Sequence, residues 1–203
     1  MKFSNLNLEQ SRKDLAEIIG LLPKGSKVLD VGAGNGANAE LIKQKCNVVA
    51  VEPDEQGANF IRNRGIECFN AKLQDIEHQE KYDRILFLKF NIPFDEISPS
   101  LKKAKTLLAK DGKIIFDICR GEYDTQSLQN FSDKFEEAGL GCFSREIEGG
   151  RFLIFLSPDV PTISINSSSR GCFIAKNRSE GMVVPNSNPE QPKSDSKACR
   201  ELL

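Results

Sequence analysis

The stretch Lys27–Ile42, KVLDVGAGNGANAELI, decides how this 203-residue chain is read. Val28, Leu29 and Val31 form an apolar run too short for a helix and of the kind a buried parallel strand carries. Gly32, Gly34 and Gly36 follow, and the composition from Ala37 to Ile42 is helical. A strand that ends in closely spaced glycines and opens a helix is a nucleotide- or cofactor-binding turn. Missing side chains let the backbone bend sharply and approach a ligand closely.

On either side of this unit, strand and helix patterns alternate. Leu8, Leu15, Ile18, Ile19 and Leu22 recur at helical spacing, and Pro23-Lys24-Gly25 stops that helix within residues 1–24. Beyond Ile42 the pattern predicts strands at 48–51, 66–69, 82–88 and 113–118. Helices are predicted at 38–44, 54–64, 100–109 and 126–138, with one helical turn near 73–76. Asp111-Gly112 reads as the turn into the fifth strand. Residues 142–148 and 151–157 flank Gly149-Gly150, a two-residue connection that makes a tight antiparallel hairpin. The fold class expected is α/β: a doubly wound, mostly parallel seven-stranded sheet with a C-terminal antiparallel hairpin strand and helices on both faces. The domain is expected to span 1–157. Residues 158–203 carry five prolines, many Ser and Asn, and a single aromatic, Phe173, and are expected to form a weakly ordered tail.

A net charge of −1 and a pI near 6.0 give no global attraction to nucleic acid or anionic membranes. No run reaches the length of a membrane span, and the polar start MKFSNLNLEQ does not read as a secretory signal. The expected address is therefore cytoplasmic. The six cysteines (46, 68, 119, 142, 172, 199) show no CxxC pair and no nearby His, so neither a metal site nor a disulfide scaffold is expected.

Two cofactors fit the glycine turn. Gly32, Gly34 and Ala37 satisfy G-x-G-x-x-[GA], and Glu52 stands where a ribose-binding acid would sit, as in a dinucleotide site. Asp30, two residues before the first glycine, argues for a different ligand. A carboxylate there repels a pyrophosphate and attracts an ammonium group.

VLDVGAGNGA followed by VVAVEPD resembles the first two motifs of class I S-adenosylmethionine-dependent methyltransferases. LLAKDGKIIF (107–116) is similar to that family's lead into strand five, and the hairpin 142–157 to its antiparallel seventh strand. The resemblance covers roughly residues 10–157. It implies S-adenosylmethionine as cofactor, with the backbone of Gly32, Ala33, Gly34 and Gly36 beneath its methionine portion and Asp30 facing its amino group. It further implies Glu52 on the ribose hydroxyls, Pro53 or Asp54 beside the adenine, and Asn70-Ala71 near the adenine amino group. There an Asn carbonyl takes the place of a more usual acid.

For the acceptor, Asn91-Ile92-Pro93-Phe94 matches the [ND]-x-P-[FYW] motif of enzymes that methylate exocyclic amines and is similar to the NIPY or NLPY of ribosomal RNA adenine dimethylases. That resemblance implies Asn91 accepting hydrogen bonds from the amine and Phe94 stacking on a base. The leading expectation is a small-molecule acceptor. Nucleic-acid amine methylation through this loop is the alternative, and a cofactor-binding protein without turnover is a third reading. His78 is expected on the solvated sheet edge away from the cofactor. Arg120, Glu122, Tyr123 and Asp124 are expected in a polar loop after strand five.

Overall fold

The computed structural model describes residues 8–88, 94–119, 131, 133–147 and 151–159. Seven strands form one sheet in the order β3-β2-β1-β4-β5-β7-β6. They are β1 (Lys27–Val31), β2 (Asn47–Val51), β3 (Glu67–Phe69), β4 (Tyr82–Phe87), β5 (Leu108–Cys119), β6 (Gly141–Ile147) and β7 (Arg151–Ser157). β1 pairs in parallel with both β2 and β4, and β4 with β5. β7 alone runs antiparallel, inserted between β5 and β6. The connections leave β1 and β4 in opposite directions, so the crevice between them opens at their carboxyl ends, where ligands of open α/β sheets bind.

Alternation along the strands places one apolar set on each face. α1 (Leu8–Leu21), α2 (Ala37–Ile42) and α3 (Glu55–Asn63) cover the first face, where Leu15, Ile18, Leu22 and Ile42 pack on Val28, Leu86 and Ile115. α4 (Phe94–Leu107) and a 3-10 turn at Leu73–Asp75 cover the second, where Ile97, Leu101 and Leu73 pack on Leu29, Ile85 and Phe116. The same alternation puts Asp30 on the α1 face in line with Val28.

Two elements differ from the sequence reading. α4 begins at Phe94 rather than Ser100 and holds Pro99 as its sixth residue. The proline removes only the bond to the Asp95 carbonyl, and Asp95 and Glu96 complement the dipole of the new first turn. β5 begins at Leu108, so the helix stops before Ala109 and the expected Asp111-Gly112 turn lies inside the strand as a bulge. Pairing jumps from Tyr82↔Leu108 to Arg84↔Lys113, and Asp111 sits at φ 62°. A Cβ at Gly112 would lie 2.9 Å from the Ala109 carbonyl oxygen and 3.0 Å from that of Tyr82, both backbone. Gly112→Ala is therefore expected to destabilise the fold by about 1–3 kcal/mol, measured by urea unfolding. A loss under about 0.5 kcal/mol would show that the bulge can relax. The Gly149-Gly150 connection and the expected tail from 160 onward lie outside the described residues.

Candidate functional site

The glycine turn leaves β1 with Gly32 at φ 70°, Gly34 at φ 59° and Gly36 at φ 78°, a left-handed path that side-chain-bearing residues rarely follow. The Gly32 N–H donates to the Val51 carbonyl at 2.8 Å, so the turn folds across the end of β2. Ala33 is half-buried within it, and its carbonyl accepts from the Gly36 N–H at 2.9 Å. Open space lies over Gly34, where an added Cβ would meet nothing within 4 Å. At Gly36 the same Cβ would lie 2.8 Å from Ile61 Cγ1, so this glycine lets α3 close on the turn. Arg64 secures the junction: its Nε donates to the Asn35 carbonyl at 3.0 Å and its guanidinium pairs with Glu40.

Two buried carboxylates meet beneath this turn. Glu52, at the end of β2, accepts the Gly34 N–H at 2.7 Å on Oε2 and the Asp54 N–H at 2.9 Å on Oε1. Each oxygen keeps a second lone pair, so the group can still accept from two hydroxyls. Asp30 is 2 % exposed, and its Oδ2 has no hydrogen-bond partner. Burial first, and the nearby Glu52 second, push its carboxyl up to about 7. A buried acceptor without a donor carries a large desolvation cost, which a ligand ammonium beside it would relieve. These groups fit a cofactor with an ammonium at one end and a ribose at the other. They fit a pyrophosphate badly.

Asn70 stands just past β3 and uses its side-chain amide as a donor. Nδ2 bonds the carbonyls of Glu52 and Pro53, each at 3.0 Å, which leaves Oδ1 as its acceptor. Pro53 is exposed at the rim, and half-buried Ala71 packs on the core behind it. Asp54 caps α3, accepting the Gly57 N–H at 2.8 Å. Glu52, Asn70 and the glycine turn therefore meet at the carboxyl ends of the first strands, with Asp30 buried just before the turn. Asn91 lies outside the described residues, as do Arg120, Glu122, Tyr123 and Asp124; Phe94 opens α4 instead of closing a loop.

His78 departs from the solvated role expected of it. Its ring is 4.8 Å from that of Phe69 and its Nε2 is 2.9 Å from the Tyr82 hydroxyl, so it packs as a structural polar group. Gly57 has a role that the sequence motifs do not mark. A Cβ there would lie 2.6 Å from the Gly34 carbonyl oxygen and 2.9 Å from Glu52 Cγ. A glycine inside a helical pattern costs about 1 kcal/mol relative to Ala, and that anomaly was the available signal.

The parallel sheet with a glycine turn at its switch point, a buried acid before the turn and a second acid after β2 define a cofactor-binding transferase of the class I methyltransferase architecture. A family model described as a methyltransferase domain matches residues 6–147, and the chain belongs to that family. The chain is similar in fold to a TehB-like S-adenosylmethionine-dependent methyltransferase from Corynebacterium glutamicum: 18 % identity, 74 % of this chain and 95 % of that one covered, TM-score 0.56. A Bacteroides fragilis methyltransferase in complex with S-adenosyl-L-homocysteine is 19 % identical over 70 % of this chain and 76 % of its own, with a TM-score of 0.58. Magnesium protoporphyrin IX methyltransferase from Synechocystis with its methyl donor bound is 14 % identical over 75 % and 85 %, with a TM-score of 0.56. No curated protein sequence matches the chain. No helix among the described residues is long and apolar enough to cross a membrane.

Proposed function

We propose that this methyltransferase transfers the methyl group of S-adenosylmethionine to a small-molecule acceptor bound beside the carboxyl ends of β4 and β5. The observation that carries the cofactor reading is the Asp30 carboxyl, buried just before the glycine turn with no partner for its Oδ2. When bound, the cofactor supplies an electrophilic methyl on a sulfonium, so no protein nucleophile or metal is required. Asp30 would hold the ammonium, and Glu52 would accept from the ribose hydroxyls on the lone pairs left by Gly34 and Asp54. The Gly32–Gly36 backbone would hold the methionine portion. Pro53, Ala71 and Asn70 Oδ1 border the adenine. Orientation of the acceptor against the methyl then supplies most of the rate.

Small acceptors are favoured because proteins of similar fold carry names of that kind. The Synechocystis enzyme is named for a porphyrin, and a Thermotoga maritima protein described as a possible histamine N-methyltransferase shares the fold at 19 % identity and a TM-score of 0.57. On the acceptor side, Asn91 and Phe94 would contact the substrate. Titration calorimetry with S-adenosylmethionine, S-adenosylhomocysteine and NAD tests the cofactor reading: micromolar binding of the first two and none of NAD is expected, and the reverse pattern would sink it. Release of S-adenosylhomocysteine across a panel of small amines, phenols and carboxylates tests the acceptor class. Turnover with RNA alone, abolished in Asn91→Ala, would move the assignment to nucleic-acid amines.

A further inference from the structure

The segment that follows β3 touches both halves of the site. At its start, Asn70 holds the carbonyls of Glu52 and Pro53 on the cofactor side. A few residues on, the same segment grips the beginning of α4. Lys72 Nζ pairs with Glu96 Oε1 at 2.8 Å, and the Ser100 hydroxyl donates to Gln74 Oε1 at 3.0 Å. Glu96 and Ser100 are four residues apart and so share one helix face. The Glu96 carboxyl is held below its ordinary range chiefly by the Lys72 hydrogen bond, with the Gln74 amide adding to it.

These ties differ in strength. Lys72 is half exposed, and an exposed ion pair is worth little. Ser100 is 1 % exposed, so its hydroxyl has no water to turn to if Gln74 is lost. Gln74 also sits in the 3-10 turn whose neighbours Leu73 and Ile76 are core residues, which makes the turn a firm base. We propose that Gln74 is a positioning residue, which through Ser100 and Glu96 fixes the first two turns of α4 against the segment backing Glu52. The start of α4 is thereby tied to the segment that carries the cofactor-side Asn70. This rests on reading Glu52 as a cofactor ligand.

The test is amide hydrogen exchange with and without saturating S-adenosylhomocysteine, the probe being that product alone. In the wild type, the product is expected to slow exchange in residues 97–104 at least fivefold. In Gln74→Leu, which keeps the volume and removes the polar ties, product affinity should stay within threefold while the slowing in α4 is lost. Ser100→Ala, which leaves Gln74 in place, should lose it too and guards against a folding defect in the first variant. Binding to the wild type without any slowing in α4 would overturn the inference alone, as would full slowing in both variants. Absence of product binding would overturn the cofactor reading together with it.

Discussion

Replacing Gly57 with alanine is expected to weaken S-adenosylhomocysteine binding by on the order of a hundredfold, although the substitution lies in a helix and adds one methyl group. Two effects oppose each other. Alanine is the better helix former by about 1 kcal/mol, which taken alone would stabilise α3. Against this, the new Cβ would stand 2.6 Å from the Gly34 carbonyl oxygen and 2.9 Å from Glu52 Cγ. The first of these is backbone. The second belongs to a side chain whose two oxygens are pinned by the N–H groups of Gly34 and Asp54 at 2.7 and 2.9 Å. Neither can swing aside as a flexible side-chain end would, so the glycine turn and Glu52 must shift together, and overpacking of this kind costs about 1–3 kcal/mol. The clash therefore outweighs the propensity, and because it acts on the binding turn, the loss appears in affinity as well as in stability. Gly20→Ala is the matched control. It lies in α1 with nothing within 4 Å of the added carbon, and it should hold or raise the melting temperature with binding unchanged. Calorimetry and thermal melts on both variants decide the matter; Gly57→Ala affinity within threefold of wild type would show that the turn can yield.

The contrast between Gly57 and Asp30 explains how much of the site was legible in the sequence. β1, the turn and the start of α2 are local: an apolar run, glycines at fixed spacing and a helical composition lie within sixteen consecutive residues, and β1 falls at the expected bounds. Asp30 announces itself as a charge at the end of a buried strand. The need for Gly57 comes from Gly34 and Glu52, which only the β2–α3 chain reversal brings against it, and no local pattern encodes that approach. α4 and β5 depart from their local patterns for a related reason. Pro99 and Asp111-Gly112 are strong local breakers, yet the core positions Ile97 and Leu101 keep the helix running through Pro99. Tyr82 draws Leu108 into the sheet before the turn is made. The order β5-β7-β6, with the last strand inserted, is a tertiary outcome that the hairpin pattern leaves open between two edges. The proposed acceptor role of Asn91 rests on a four-residue motif alone, which is little local signal.

Asp30→Asn is expected to make the ligand-free protein more stable at neutral pH while removing most of its affinity for S-adenosylhomocysteine. The carboxyl is pushed from 3.8 up to about 7 by burial and by Glu52, so the fold favours its protonated form. The unfolded chain ionises Asp30 near its ordinary value. The stability conferred by the protonated group is therefore full below about pH 4. It is lost as pH rises and is gone above about pH 7, a loss on the order of 4 kcal/mol at about 1.36 kcal/mol per unit. The wild type should thus lose stability across that window relative to Asp30→Asn, and the difference between the two urea-unfolding curves isolates this one group from the other acids. Binding runs the opposite way. An ammonium is held by the ionised carboxylate, so wild-type affinity should climb from pH 5.5 to pH 7, by up to about tenfold per unit, and then level off. In the variant that slope should vanish and the affinity at pH 7.5 should fall by roughly a hundredfold or more, because a buried cation loses its counter-charge. Calorimetry at several pH values reads both quantities. An Asp30→Asn variant that binds the product as tightly as wild type at pH 7.5 would remove Asp30 from the ammonium site. A wild-type affinity flat across pH 5.5–7 would show that the carboxyl ionises before the ligand arrives.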